Sequence, residues 1–345
     1  MYDEIIKKIV ESIDKKAIRE ELYPKFSGEG YTAHKISANN FHEIKQFDKN
    51  KKITFVDGGN AEIIGSANFS LNIIRVSYAT YCDNKKTSAK KFDIVALVEA
   101  VNQNSEIHYK TSFFKLKNSV ELDEIYFSSL DRTLMSGVNR AEISSVANAI
   151  RRFAELKIAK LAADERAADI IVIDGNLQST LSGENKCLEE LYNSCSENSV
   201  ILSALSKTTS LFTEDGNLLS AALSGLANYN VWFYYPIADI NNSNHKAEMF
   251  FVKFHDKSKH IFRFEVFNAQ KLKAEETINA LASNCTDPIF IGYPYGLVEA
   301  DRMARISNRE KGSLKTFFLV KLKNKNIENY LSAVNAHEIL DRVSF

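Results

Sequence analysis

Ile53-Thr54-Phe55-Val56-Asp57-Gly58-Gly59 sets four strand-forming residues directly before an acid, with two glycines behind it. The stretch reads as a buried strand that carries the Asp57 carboxylate to an exposed end, where the glycines turn the chain. Glycine at both positions also removes side chains that would keep a metal ion or phosphate from the backbone. The pattern returns at Val172-Ile173-Asp174-Gly175. If the two strands are neighbours, two carboxylates meet at one sheet edge, and like charges that close favour a cation between them. Oxygen-only ligands suit Mg²⁺ or Mn²⁺, and two such ions activate a water and stabilise a leaving oxygen in phosphodiester cleavage. Two unrelated strand-end turns would leave the same letters, so spacing alone keeps both readings open.

Composition narrows the field. The chain has 345 residues, of which 45% are hydrophobic and 26% charged, as expected of a soluble globular protein with a sizeable core. Lysine plus arginine and aspartate plus glutamate number 44 each, so no global field draws the molecule to nucleic acid. DNA binding then needs a local groove or a partner. Cys82, Cys187, Cys195 and Cys285 form no CxxC pair, which predicts reduced thiols, a cytoplasmic location and no zinc ribbon. No apolar run has the length of a membrane span, and the opening residues carry no signal-peptide pattern. The seven histidines show no HExxH spacing, and there is neither a GxSxG elbow nor a Walker A loop. Zinc hydrolysis, serine hydrolysis and P-loop ATP hydrolysis therefore lack support. With no repeat and no Pro/Gly linker, a single domain over 1–345 is expected, with a helical arm over 1–50 and an elaborated core over 51–345.

Residues 3–22 place Ile5, Ile6, Ile9, Val10 and Ile13 at helical spacing, a stripe suited to the body or another subunit. Period-two runs at 69–81, 92–101 and 106–116 predict an antiparallel meander, with Lys85–Lys91 as a basic hairpin loop. From Asn139 the period is helical, with the stripe Ile143, Val146, Ile150, Ala154 and Leu161; Asp169–Ile173, a helix near 185–193 and a strand at 200–204 follow. Alternating helix and strand predicts added parallel strands. Trp232–Pro236 is a further strand, Glu248–Phe254 and His260–Phe267 form a hairpin, and Lys273–Ser283 a helix. A helix through Arg305, a strand near Phe317–Val320 and a helix from about Ile327 close the chain. This order resembles the ribonuclease H-like α/β fold, a mixed sheet flanked by helices that also supports actin-like ATPases.

The stretch Gly292-Tyr293-Pro294-Tyr295-Gly296-Leu297-Val298-Glu299-Ala300-Asp301-Arg302-Met303-Ala304-Arg305-Ile306 strongly resembles the C-terminal signature of the NurA nuclease family. Val56-Asp57-Gly58-Gly59 and Ile173-Asp174-Gly175-Asn176-Leu177 match that family's other acidic motifs in order. The resemblance implies an Mn²⁺-dependent nuclease, with Mg²⁺ as the alternative and two ions per site. It implies 5′–3′ exonuclease and single-strand endonuclease activity in a homodimer. The implied partners are DNA and a HerA-type hexameric ATPase, in DNA end resection and double-strand break repair. It also implies metal ligation by Asp57, Asp174, Glu155 and Asp301, some relatives having His in place of the last. Glu155 lies off the apolar stripe and can pair with Arg151 at i,i+4, and Glu142 on the same helix is its rival. Tyr293 matches the family's active-site tyrosine, and a strand-end Tyr also serves packing. Lys207, Arg302 and Arg305 are the implied DNA-binding cations; solvation of Lys207 and an Arg305–Asp301 pair are the plain alternatives. Two rivals stand beside the nuclease: a silent scaffold docking on an ATPase, and a phosphotransferase of the actin-like type.

Overall fold

A computed structural model describes residues 2–14, 22–45, 50–116 and 120–322. Its elements begin with α1 (Tyr2–Asp14), β1 (Pro24–Lys25), β2 (Tyr31–Ala33) and β3 (Phe41–Glu43). Next come β4 (Ile53–Ser66), β5 (Phe69–Cys82), β6 (Lys85–Gln103), β7 (Glu106–Phe114) and β8 (Tyr126–Ser128). Helices and strands then mix in α2 (Val146–Asp164), β9 (Ile170–Asp174), α3 (Glu184–Glu197), β10 (Ile201–Ser206), β11 (Phe212–Thr213) and α4 (Leu219–Leu226). The last are β12 (Trp232–Tyr234), β13 (Ala238–Ile240), β14 (Ala247–Lys253), β15 (Phe262–Phe267), α5 (Ala274–Ser283), α6 (Tyr295–Ala304) and α7 (Asn308–Leu322). Among the described residues no helix is long and apolar enough to cross a membrane. The chain forms two compact units: 1–50, 174–178 and 201–295 make one, and 51–173, 179–200 and 296–345 the other.

The second unit is built on strands in the order β9-β4-β5-β6-β7-β8. The expected meander is present, antiparallel from β4 to β8, and β9 joins β4 in parallel, which makes the sheet mixed. Two expectations change here. Lys85–Lys91 is not a loop but the exposed start of β6, paired with β5. The tight turn at Asp83 and Asn84, both at positive φ, does the work expected of that basic run. Nor do Gly58 and Gly59 turn the chain: β4 runs through them to Ser66, pairing with Val76 and Arg75 of β5. Asp57 is thus a mid-strand residue, only 5% exposed, rather than an exposed strand end.

Helix α2 covers this sheet. It packs on β4 and β5 with one face and on α3 with another, so burial extends well beyond a single stripe. Glu155 is consequently buried at 4% exposure, where the apolar periodicity placed it off the packed face. Glu142 is exposed and lies ahead of α2, at the position before the short 3₁₀ turn Ile143–Ser145, not on the helix itself.

The four apolar residues at 317–320 belong to α7 and not to a strand. Short apolar runs do not distinguish the two by period. Leu314 and Phe318, one helical turn apart, pack with Ile306 on Ile63, Ile64 and Ile73, while Phe317 and Val320 face solvent. Ser307 Oγ caps the start, accepting from the Glu310 N–H at 3.1 Å. The helix expected from Ile327 lies outside the described residues.

In the first unit β3-β12-β14-β15-β10 form an antiparallel run, with β14 and β15 as the expected hairpin. On one side β10 pairs antiparallel with β15 of that hairpin. Its core gathers Phe41, Trp232, Tyr234, Met249 and Phe251 against Leu219 and Leu223 of α4. On α1, Ile5, Ile6, Ile9 and Val10 are all about half exposed.

Candidate active site

Two glycines on β4 let two helices reach the strand that carries Asp57. A Cβ on Gly58 would lie 2.6 Å from Glu155 Oε1 and 2.9 Å from its Cγ. A Cβ on Gly59 would lie 2.6 Å from the Ala304 carbonyl oxygen at the end of α6. No side chain other than hydrogen admits these approaches. Gly296 does the same from the helix side, its Cα set against the Phe55 ring. The Ser77 hydroxyl donates to the Ala300 carbonyl at 2.9 Å and ties α6 to β5. Around Asp57 the sequence thus places Glu155 of α2 on one glycine, and the helix carrying Asp301 on the next.

Arg151 binds this arrangement together. Its Nη1 donates to the Gly58 carbonyl at 3.1 Å and to Glu155 Oε1 at 3.2 Å. Arg152 approaches the other Glu155 oxygen at 3.8 Å and donates from Nε to buried Glu184 at 2.7 Å. Asp57 Oδ1 accepts from the Gly58 N–H at 2.7 Å. The i,i+4 pairs expected for Arg151–Glu155 and Arg305–Asp301 both form, the latter at 3.0 Å. Arg305 and Asp301 are 73% and 42% exposed, and a pair so open to water contributes about 0–1 kcal/mol, too little to resist a stronger ligand. Arg302 turns to Glu299 at 2.8 Å, and Lys86 Nζ meets the same carboxylate at 2.9 Å. Hydrogen bonding from Arg302 holds the buried Glu299 carboxyl below the usual range, against the opposing effect of burial, with Lys86 assisting. The i,i+3 spacing of Glu299 and Arg302 was the available sequence signal for this pair.

The parallel register between β4 and β9 runs from Ile53↔Ile170 to Val56↔Ile173. The next residue on each strand is Asp57 or Asp174. Here the glycine does turn the chain: Gly175 has φ +111°. Its N–H donates to the Leu205 carbonyl at 3.0 Å, and the Ser206 hydroxyl donates to the Gly175 carbonyl at 2.7 Å. Lys207 Nζ, one residue beyond β10, donates to Asp174 Oδ2 at 2.6 Å and sits 5.7 Å from the centre of the Tyr293 ring. Tyr293 is not at a strand end; it lies in the turn before α6, 1% exposed, against Phe262 and Phe290.

Chemically, Asp57, Glu155, Asp174 and Asp301 offer only carboxylate oxygens, the donor set of a hard divalent cation. Among the described residues no three His, Cys, Asp or Glu side chains converge closely enough to hold a metal ion. Ammonium and guanidinium groups stand beside Asp174, Glu155 and Asp301 instead.

No curated protein matches the sequence. Among solved structures, the NurA nuclease from Sulfolobus solfataricus superposes with a TM-score of 0.54 at 16% identity, over 93% of this chain and 96% of that one. Ciona intestinalis endonuclease V in complex with DNA gives 0.39 at 13% identity, over 74% and 85% of the two chains. The catalytic domain of human endonuclease V gives 0.40 at 12%, over 77% and 85%. The fold is ribonuclease H-like, a mixed sheet flanked by helices. The NurA domain model matches residues 51–306, from the start of β4 to the end of the C-terminal signature, and the chain belongs to the NurA family.

Proposed function

We propose that the chain is a metal-dependent deoxyribonuclease in which Asp57, Glu155, Asp174 and Asp301 hold divalent ions, Mn²⁺ or Mg²⁺, two to a site. The observation that carries this reading is a buried carboxylate, Glu155, laid against Gly58 in the strand position next to buried Asp57. Burying two acids is expensive unless a cation compensates them. When bound, the ions would activate a water and stabilise the leaving oxygen of a phosphodiester. The chain's own groups do the rest. Arg151 orients Glu155, and Lys207, beside Asp174, would meet phosphate charge. Tyr293 is the family's active-site tyrosine by resemblance, its ring beneath Lys207. Arg302 and Arg305 are assigned to the DNA backbone.

The wider reading follows from family membership. The chain acts as a homodimer with a HerA-type hexameric ATPase in DNA end resection and double-strand break repair in the cytoplasm, by 5′–3′ exonuclease and single-strand endonuclease cleavage. The exposed apolar stripe of α1 supports a second copy or a partner on that arm.

The test is cleavage of linear and single-stranded DNA by purified protein with Mn²⁺ or Mg²⁺. Asp57→Ala and Asp174→Ala should each remove cleavage and weaken Mn²⁺ binding while the melting temperature stays within a few degrees of wild type. Retained cleavage in both variants would falsify the site. A scaffold that docks on an ATPase without cutting is favoured by one observation: Asp174, Glu155 and Asp301 already carry basic partners. Absence of cleavage by the wild type, with and without the ATPase, would select that reading.

A further inference from the structure

The first unit contains a cavity of about 610 Å³, well inside the roughly 300–1,000 Å³ range of small-molecule sites. Its wall comes from the turn after β1, from Asn176 and Gln178 just beyond Asp174, and from the loop after β10 ending in Phe212. Among the described residues Lys25 and Arg263 are its charged lining residues, and no Asp or Glu joins them, although the chain carries 44 acids in 345 residues. The wall is therefore cationic in a molecule of zero net charge.

Arg263 is fixed from behind. Its Nε donates to Glu265 Oε1 at 2.6 Å and its Nη2 forms an ion-pair contact with the same carboxylate. Buried Glu265 also accepts the Leu177 N–H at 2.8 Å and lies 3.2 Å from His245 Nε2. His245 Nδ1 pairs with the Tyr31 hydroxyl at 2.9 Å. One buried network thus sets both the cation and an aromatic ring of the wall, which is preorganisation. Tyr31 stacks on Phe26 with centroids 4.7 Å apart and planes 5° apart, and Phe212, also in the wall, is 44% exposed. Flat aromatic faces, a hydroxyl-rich rim and a held guanidinium match the base, the hydrogen-bonding edges and the phosphate of a nucleotide.

We propose that this cavity seats the terminal nucleotide of an unpaired DNA strand, its base against the aromatic wall and its phosphate toward Arg263 and Lys25. The assignment rests on the nuclease reading above. Ser206, in the cavity wall, is bonded to Gly175, the residue after the assigned ligand Asp174.

Calorimetric titration of metal-free protein with deoxythymidine monophosphate and with the five-nucleotide strand (dT)₅ tests it. Ser210→Trp should fill the cavity and remove binding of both. Phe212→Ala should weaken both about 5- to 100-fold, the loss of one base–aromatic stack. Melting curves check folding, and the milder Phe212→Ala decides if Ser210→Trp does not fold. Wild-type binding of neither ligand, or binding unchanged in the folded variants, overturns the proposal. Cavity-dependent binding of the mononucleotide with unaffected (dT)₅ binding also overturns it, in favour of a free nucleotide. Cleavage of long DNA by the wild type is scored separately. A protein that cuts but binds nucleotides independently of the cavity sinks this inference alone; one that binds through the cavity and never cuts sinks the nuclease reading.

Discussion

At Gly58 a single hydrogen in place of a methyl decides whether Glu155 can reach the strand of Asp57. Gly58→Ala would set a carbon 2.6 Å from Glu155 Oε1 and 3.0 Å from Val76 Cγ1. Overpacking of this kind costs about 1–3 kcal/mol, read as a lower urea midpoint, and cleavage should fall further than stability because Glu155 must move. The double variant Gly58→Ala/Glu155→Ala should be more stable than the two single effects summed, since the offending side chain is gone. Strict additivity would place the glycine's role elsewhere. Gly175 is a different case: nothing lies within 4 Å of its added carbon, but φ is +111°. Gly175→Ala should cost about 1–3 kcal/mol through backbone strain alone.

At the scale of elements, the question is what holds α6 and α7 on the sheet. Arg75 on β5 is 8% exposed and forms paired hydrogen bonds with Asp93 and with Glu310 of α7, besides reaching the Arg305 carbonyl at 3.2 Å. Arg75→Met should lower stability by about 2–3 kcal/mol, less than for a fully buried pair because Asp93 and Glu310 stay partly wet. Hydrogen bonding from Arg75 holds the Glu310 carboxyl below its ordinary value, outweighing burial. A depressed folded pKa gives stability that is present above the unfolded value near 4.5 and lost as pH falls through the folded one. The gap between wild type and Arg75→Met should therefore narrow in urea titrations below about pH 4. A constant gap would mean that Arg75 acts by packing alone.

At the scale of the whole molecule, charge and acid sensitivity are the readable quantities. Lys207, Arg302 and Arg305 are all ion-paired, and the net charge is zero. Three phosphate contacts are then the ceiling for these residues. The affinity for single-stranded DNA should fall with salt at a log–log slope no steeper than about −2 if no other cation engages. Acid should unfold the first unit through Glu265. Burial raises its carboxyl, but Arg263 and His245 together with the Leu177 N–H overcome this and leave it at about 2, against 4.5 when unfolded. Its contribution is complete above pH 4.5 and disappears between 4.5 and 2. Glu265→Gln should melt below wild type at pH 7 and lose most of that difference by pH 2.5, measured by calorimetry.

The sequence by itself determined the family and most of the elements, because these depend on local order along the chain. Alternation made the β4–β7 meander legible, helical period revealed α2, and the 292–306 signature named the family. Period alone could not choose between strand and helix for Phe317–Val320, where packing of Leu314 and Phe318 on β4 and β5 decided. Nor could it show that Glu155 is buried, since a helix covered on two faces loses its single stripe. Gly58 and Gly59 read as a turn from their letters, yet they are close-approach residues within a strand. Close approach is a property of what arrives from α2 and α6, nearly 100 and 250 residues away along the chain, and only the tertiary structure brings those groups to the strand.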